Sequence, residues 1–450
     1  MKKEQVKVKC IGMDERGKGI VKVRGQRIHV PNLIEGETAV VEIIQRKNFK
    51  EVKVVQILEK SKYRVVPDQS LEGQWEGCQL QHLSNEGQAE FKQKMVERLL
   101  KPYGKVSKIL TMDDPYHYRN KVISTVAYNQ KREIISGIYE ENTHRVIPVT
   151  QCMIHNKQAD KIISTIRKIA KTYKMQPYNE DARQGFLRHI LIRTGFATKE
   201  VMVVLVVSNQ IFPGKKNFIK ELLKVHPEIT TIVMNINNRQ TSVVLGDKEQ
   251  VLYGKGYIED ILCERVFQIS AKSFYQINPI QTEVLYGKAI EMAKLKGNEV
   301  VLDAYCGIGT ISLIVSDKVK EVIGVEVNKE AVKDAIKNAK RNKITNAYFH
   351  QEDAGEFMVG LAKQKQTIHT VFMDPPRGGS DQKFLSSLVR LSPKQIVYIS
   401  CNPTTQERDL RYLTKQGYKV REIQPVDMFP QTVHVESIIL MTYCGSEAKQ

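Results

Sequence analysis

Four short stretches in the last third of the 450-residue chain carry side chains able to do covalent chemistry. Ser400-Cys401-Asn402-Pro403 follows the apolar run 396–399, which reads as a buried strand. Asn402 and Pro403 end that strand at once. The cysteine is therefore expected at the mouth of a sheet, the edge where ligands bind in open α/β folds. Asp303-Ala-Tyr-Cys-Gly-Ile-Gly-Thr310, Asp374-Pro-Pro-Arg377 and His434-Val-Glu436 are spaced to meet it there. An isolated cysteine is usually a small buried apolar residue. Beside these three stretches, Cys401 reads as a nucleophile.

The chemistry that suits such a set is methylation of a pyrimidine at carbon 5. That carbon of uracil is too weak a nucleophile to take a methyl group unaided. A thiolate adding to carbon 6 turns the ring into an enolate and makes carbon 5 reactive. After methyl transfer, a base must remove the carbon-5 hydrogen so that the thiolate can leave. One cysteine, one base and a sulfonium donor are the minimum set. Glu436 sits beside Val435 and the apolar run 438–440, where a carboxylate is costly unless paired or working. His434 has the better unperturbed pKa, and the residues alone leave both open as the base.

The donor has its own candidates. Gly307 and Gly309 fall in the first strand-to-helix turn, where glycine lets a ligand approach the backbone. Their spacing is shorter than the dinucleotide fingerprint, which argues against a nicotinamide enzyme. Glu326 ends the second strand, where a carboxylate can take both hydroxyls of a ribose. Asp353 follows the third and could accept from an adenine amino group. The ordered set suits S-adenosylmethionine. The prolines after Asp374 make a rigid turn. Arg377 stands where methyltransferases of amino nitrogens often carry an aromatic residue. The turn also lacks the cysteine found there in cytosine carbon-5 enzymes.

These residues need a scaffold. Residues 271–450 alternate strand and helix and read as a Rossmann-like doubly wound α/β domain. Strands are expected at 299–302, 322–326, 347–350, 370–373 and 395–399, with helices at 310–316, 329–341, 356–363, 382–391 and 404–415. Two β-rich segments, 419–426 and 433–441, close the chain. Residues 1–60 alternate apolar and polar positions over 6–9, 19–23, 27–30, 39–44 and 51–57, which suits a small OB-like β-barrel. Residues 61–270 contain a helix at 84–100 and then an α+β region. Its expected strands are 118–126, 187–193, 200–206 and 231–237, with a helix over 157–173.

The formal net charge is +19. Residues 1–60 contribute +6, residues 61–270 contribute +9 and residues 271–450 contribute +4. A polyanion-binding surface is expected on the first 270 residues. Arg119, Lys121, Arg188 and Arg193, among aromatic residues Tyr116, Tyr118 and Phe186, suit single-stranded RNA, and Arg377 would meet it at the reacting end. Seven sparse cysteines, no apolar run long enough to span a bilayer and no signal-peptide core point to a reducing cytoplasm and no membrane.

Taken in order, Phe274-Tyr-Gln-Ile-Asn278, Asp303-Ala-Tyr-Cys-Gly-Ile-Gly309, Asp374-Pro-Pro-Arg-Gly-Gly379, Ser400-Cys-Asn-Pro403 and His434-Val-Glu436 resemble the S-adenosylmethionine-dependent RNA uracil-5 methyltransferases. The resemblance covers essentially the whole chain, and residues 1–60 look like that family's TRAM domain. It implies donor contacts from Gln276, Tyr305, Glu326 and Asp374, with Cys401 as nucleophile and Glu436 as base. Gly307 and Asp353 complete the expected donor site. Many members acting on large-subunit rRNA hold an iron–sulfur cluster on four cysteines. Three of the corresponding positions are Gln69, Trp75 and Cys78, and the fourth is Cys152. Two cysteines cannot supply the four thiolates such a cluster needs, so no cluster and no metal is expected. Trp75, the only tryptophan, is expected to pack where a cluster would sit. The TRAM module favours 23S rRNA over tRNA as substrate, with two target sites as in some Gram-positive members; the alternatives are the same methylation on tRNA, or a catalytically inert RNA-binding or ribosome-assembly module. A monomer is expected.

Overall fold

Runs of alternating or continuous apolar residues become strands in the computed structural model, which describes residues 2–45, 50–67, 77–140, 143–212, 214–240 and 242–445. The first five strands are β1 (Lys2–Met13), β2 (Gly19–Val23), β3 (Gln26–Val30), β4 (Thr38–Gln45) and β5 (Lys50–Glu59). They pair antiparallel in the order β3-β2-β1-β4-β5. Their inward phase, including Val8, Cys10, Val21, Val30 and Val41, makes a small separate core. The outer strands β3 and β5 approach one another, but no ladder closes a barrel among the described residues. Glu37, fully buried, accepts from Arg64 at 2.5 Å and from the Ile34 and Ser61 amides, which ties this unit to the chain that follows.

Helix α1 (Asn85–Leu100) starts at Ser84, whose hydroxyl accepts from the Gly87 amide. It buries Val96 and Leu100 against the last third of the chain, in one cluster with Ile423 and Leu413. The next strands and helices are β6 (Lys121–Tyr128), β7 (Ile134–Tyr139), β8 (Val146–Pro148), α2 (Lys157–Thr172), β9 (Leu187–Thr194), β10 (Val201–Val207), α3 (Lys215–Val225), β11 (Ile229–Ile236) and β12 (Lys248–Tyr253). Their seven strands run in the order β12-β11-β10-β9-β6-β7-β8. Helices α2 and α3 cover one face through Ile162, Ile166, Phe218 and Leu222. The other face, with Leu191, Met202 and Val204, packs on Phe267, Tyr275 and Leu285. A hairpin, β13 (Ile258–Leu262) and β14 (Arg265–Ile269), leads to α4 (Pro279–Ala293).

The last sheet is built from β15 (Val300–Ala304), α5 (Thr310–Val315), β16 (Glu321–Glu326), α6 (Lys329–Arg341), β17 (Ala347–Gln351), α7 (Ala354–Lys363), β18 (Thr370–Met373), α8 (Gln382–Leu391), β19 (Gln395–Ser400), α9 (Pro403–Lys415), β20 (Tyr418–Val426) and β21 (Glu436–Tyr443). The order is β17-β16-β15-β18-β19-β21-β20. Strands β15 to β19 are parallel. β21 inserts antiparallel between β19 and β20. The connections run outward in one direction from β15 and in the other from β18. Their carboxyl ends therefore flank a topological switch point, the crevice where doubly wound sheets bind ligands. Among the described residues, no helix is long and apolar enough to cross a membrane.

Candidate active site

Register brings Cys401 and Glu436 together. Ser400, the last residue of β19, pairs with Ser437 on β21. That register, continued one step past the end of β19, would bring Cys401 level with Glu436, whose charge acts on the Cys401 thiol. Gln406 of α9 locks this end: its amide donates to the Tyr398 and Ser437 carbonyls, and its oxygen accepts from the Ser437 hydroxyl. Asn402 caps α9 through the Thr404 amide and donates to the Arg377 carbonyl at 3.0 Å. The Cys401 loop and the Asp374-Pro-Pro-Arg377 turn are thus one unit. Asp409 fastens it from beneath, accepting from the Tyr398 hydroxyl and the Ser380 amide.

The electrostatics are those of a site short of cations. Glu436 is 3% exposed and its Oε2 has no hydrogen-bond partner among the described residues. Burial raises its carboxyl well above the usual range, Asp374 adds to the rise and Arg377 opposes it. Burial, then Glu436 and Asp374, push the Cys401 thiol up to about 11, with Arg377 opposing them. Asp374 is pushed up to about 7 by burial and by Asp303. Asp303 is itself near 7 through burial, although the Ser312 hydroxyl and amide both donate to its Oδ2. Its Oδ1 is buried and has no partner among the described residues. His434, the rival base, is lowered to about 4 by burial and then by Arg377, Lys92 and Arg119.

The expected donor residues converge on the same crevice. Tyr305 holds a positive φ of 66° and sets its ring against Phe384, centroids 4.9 Å apart. A side chain held in the left-handed region needs surroundings that over-determine it, and such residues cluster at ligand clamps. Gly307 has a φ of 55°, and a Cβ added there would meet nothing within 4 Å, so the turn is open to a ligand. Its amide donates to Glu326 at 3.1 Å, and the other Glu326 oxygen accepts from Asn328 at 2.8 Å. Each oxygen keeps a further acceptor site. Gln276 is buried, and its side chain hydrogen-bonds the hydroxyl of Tyr286, which also lies near Asp374, Asp303 and Glu436. Asp353 is exposed and one of its oxygens caps α7 through the Glu356 amide.

Two expectations are corrected. Arg188 and Arg193, expected to meet RNA, are both buried. Arg188 is 2% exposed; it donates to the Asn237 and Arg239 carbonyls, pairs with Glu180 and stacks on Tyr178. Arg193 donates to the Ala271 and Ser273 carbonyls. Strand β9 is buried at every position, with helices on one face and β14 and α4 on the other, so neither phase reaches solvent. Arg119 and Lys121 are half-buried, and burial with Arg193 and Arg119 lowers the Lys121 ammonium to about 8. Arg377 is exposed at its turn.

Gln69 and Trp75 lie outside the described residues. Cys78 and Cys152 are buried in one cluster with Tyr118 and Ile154. Among the described residues, no three His, Cys, Asp or Glu side chains are arranged to hold a metal.

A supporting shell is absent from the sequence reading. Lys92 of α1, fully buried, pairs with Asp427 at 2.5 Å and donates to the Phe429 carbonyl. Gln281 donates to the Asp427 carbonyl, Asn278 to that of Met428, and the Tyr118 hydroxyl to that of Pro430. Three distant segments thereby hold the loop that ends at Glu436. A lysine on an otherwise buried helix stripe is the available signal, but its partner is 335 residues away.

Sheet order and site together define a doubly wound methyltransferase. The model of the tRNA (uracil-5-)-methyltransferase family matches residues 84–443, and the chain belongs to that family. An uncharacterized RNA methyltransferase of Bacillus cereus is 41% identical over 98% of this chain and 97% of its own length. One from Halalkalibacterium halodurans is 39% identical over 98% and 97%. The crystal structure of Pyrococcus abyssi tRNA (uracil-54, C5)-methyltransferase, in complex with S-adenosyl-L-homocysteine, superposes with a TM-score of 0.78. It is 26% identical, covering 97% of this chain and 100% of that one.

Proposed function

We propose that this protein is a cytoplasmic, monomeric enzyme that methylates carbon 5 of uridine in RNA, with S-adenosylmethionine as donor and 23S rRNA, at one site or two, as substrate. The observation that carries the reading is the β19–β21 register, which brings a thiol level with a buried carboxyl at the switch-point edge. Gln276, Tyr305, Gly307, Glu326, Asp353 and Asp374 are assigned to the donor. The open glycine turn and the bare oxygen of Asp303 fit such a ligand. When bound, S-adenosylmethionine supplies a methyl group on an electron-poor sulfur.

The chain's own residues do the rest. Cys401 gives its proton to solvent and its sulfur adds to carbon 6 of uracil, moving the ring's electron pair toward carbon 5 and the carbonyl oxygen. Carbon 5 takes the methyl group. Glu436, in its ionised form, then removes the carbon-5 hydrogen, and the returning electron pair expels the Cys401 thiolate. Arg377 is the cation that opposes the rise of both groups and so favours their charged forms. Residues 1–60 and 61–270 are assigned to RNA binding and residues 271–450 to catalysis.

A second reading keeps the chemistry and changes the substrate to tRNA, and the names of the family and of the Pyrococcus enzyme favour it. Methyl transfer from labelled donor to 23S rRNA and tRNA transcripts, with the product mapped by nuclease digestion and mass spectrometry, separates the two. Methyluridine in rRNA alone supports the first reading. Methyluridine in tRNA alone supports the second, and incorporation into neither refutes both.

A further inference from the structure

We infer that the outer helical layer of the central sheet, formed by α2 and α3, is a docking face for the phosphate backbone of the RNA substrate. This deepens the proposed function and rests on it. The burial of Arg188 and Arg193 removes the strands as the source of that surface. The charge of residues 61–270 lies instead on these two helices. α2 carries four lysines and Arg167 against Asp160, a balance of +4, and α3 carries four lysines against Glu221, a balance of +3.

Lys157, Lys161, Lys168 and Lys171 are exposed, and their spacing puts them on one face of α2. From first to last they span about 21 Å at 1.5 Å per residue. Lys216, Lys220 and Lys224 are exposed on α3, which packs beside α2. Among the described residues, none of these seven has an ion-pair partner. Some lysines elsewhere do: Lys94, Lys255, Lys288 and Lys383 pair with glutamates. The layer's own acids already have partners. Asp160, on the wall of the groove beside α2, accepts from the Cys152 amide and bonds His155, and Glu221 bonds the Tyr173 hydroxyl. An ordinary solvated face interleaves its charges; one with this excess of lysines attracts a polyanion.

A groove of about 1140 Å³ runs along this side of α2, lined by Lys157, Lys161, Lys168, Tyr116 and His117. A second cavity of about 600 Å³ joins it through Tyr116, His117, Lys157 and Lys161 and reaches Phe196 and Lys199. Tyr116 is 42% exposed. Cations beside accessible rings recognise single-stranded nucleic acid, whose bases offer faces to stack on. One wall of the groove is Gln431, on the loop that ends at Glu436. A strand lying in the groove would reach the segment that carries the base.

The test is a protein with Lys157, Lys161, Lys168 and Lys171 all changed to Gln. Binding to 23S rRNA and tRNA transcripts is measured across salt concentrations, together with methylation of a short uridine stem-loop. The slope of log affinity against log salt should become shallower by about 2–3, at about 0.7 for each single-strand phosphate that is no longer neutralised. Affinity should fall about 10–100-fold, and kcat on the stem-loop should be unchanged. Lys→Arg at the same positions should keep the slope. A folded Gln variant, with unchanged melting, that keeps slope and affinity on both RNAs overturns the proposal and leaves the face free for an acidic protein. Absence of methylation by the unaltered protein would defeat the functional reading, while the slope comparison would still decide this one.

Discussion

The two seven-stranded sheets bury charge in opposite ways. In the central sheet, Arg188 and Arg193 are sunk into the protein and their terminal nitrogens donate to backbone carbonyls, with Glu180 as a further partner for Arg188. In the last sheet, Glu436 and Asp303 each keep a buried oxygen with no partner among the described residues, and Asp374 and the Cys401 thiol are raised by their neighbours. Buried polar groups are normally satisfied, and both sheets depart from that rule: the first leaves Arg188 Nε, Arg193 Nε and Ser136 Oγ without partners among the described residues. The second breaks it at one edge, where several groups are held away from their ordinary ionisation states. Ordered polarity of the first kind makes a scaffold, and the second kind leaves groups free to exchange protons with a substrate.

Substitutions should separate the two sheets, beginning with the largest effect. Cys401→Ala removes the bond-forming atom, and methyl transfer should fall by at least about 10⁴-fold. Binding of S-adenosylhomocysteine by calorimetry should be unchanged. Glu436→Gln should lower turnover by about 10²–10⁴-fold and leave RNA linked to the protein on a denaturing gel. It also removes a negative neighbour, so the Cys401 thiol should fall from about 11 and react faster with iodoacetamide near neutral pH. Slower alkylation would contradict the placement of the two groups.

Arg188→Ala should act on the fold alone. It leaves Glu180 and two carbonyls without their donor, at a cost of about 3–5 kcal/mol of stability as for a broken buried pair. Urea denaturation measures that loss, and the salt dependence of RNA binding should not change. A changed slope would return Arg188 to the RNA surface. Arg377→Gln should have the mildest effect. Arg377 lowers the Cys401 thiol, so its loss should raise the thiol further and shift alkylation to higher pH by about one unit.

Most of the last sheet is legible in the sequence because each strand there is a short apolar run ended by a polar or small residue. Strands and helices from 300 to 415 fall within about two residues of their expected ends, as strong periodicity allows. Helix α4 escapes because polar residues sit on its buried face and blur the period: Gln281 and Thr282 are buried with Leu285, Tyr286 and Ala289. β7, β8 and β12 escape for the opposite reason, being short or exposed along their length. Site stretches can be ordered from sequence, but the alignment of Cys401 with Glu436 depends on β21 entering between β19 and β20, and no local signal encodes an insertion. Lys92–Asp427 is equally non-local. Basic residues alternating along a strand suggest one solvated face, and that inference fails at β9 because the strand is covered on both.

The central claim is that Cys401 and Glu436 work as a pair on one uracil ring. Its most direct test is incubation of the unaltered protein with S-adenosylmethionine and an RNA substrate containing 5-fluorouridine, followed by denaturation, digestion and mass spectrometry. Fluorine cannot be removed from carbon 5 as a proton, so the account predicts a stable adduct of methylated fluorouridine on the peptide containing Cys401. An adduct on another residue, or none with an RNA whose unfluorinated form the protein methylates, would contradict it.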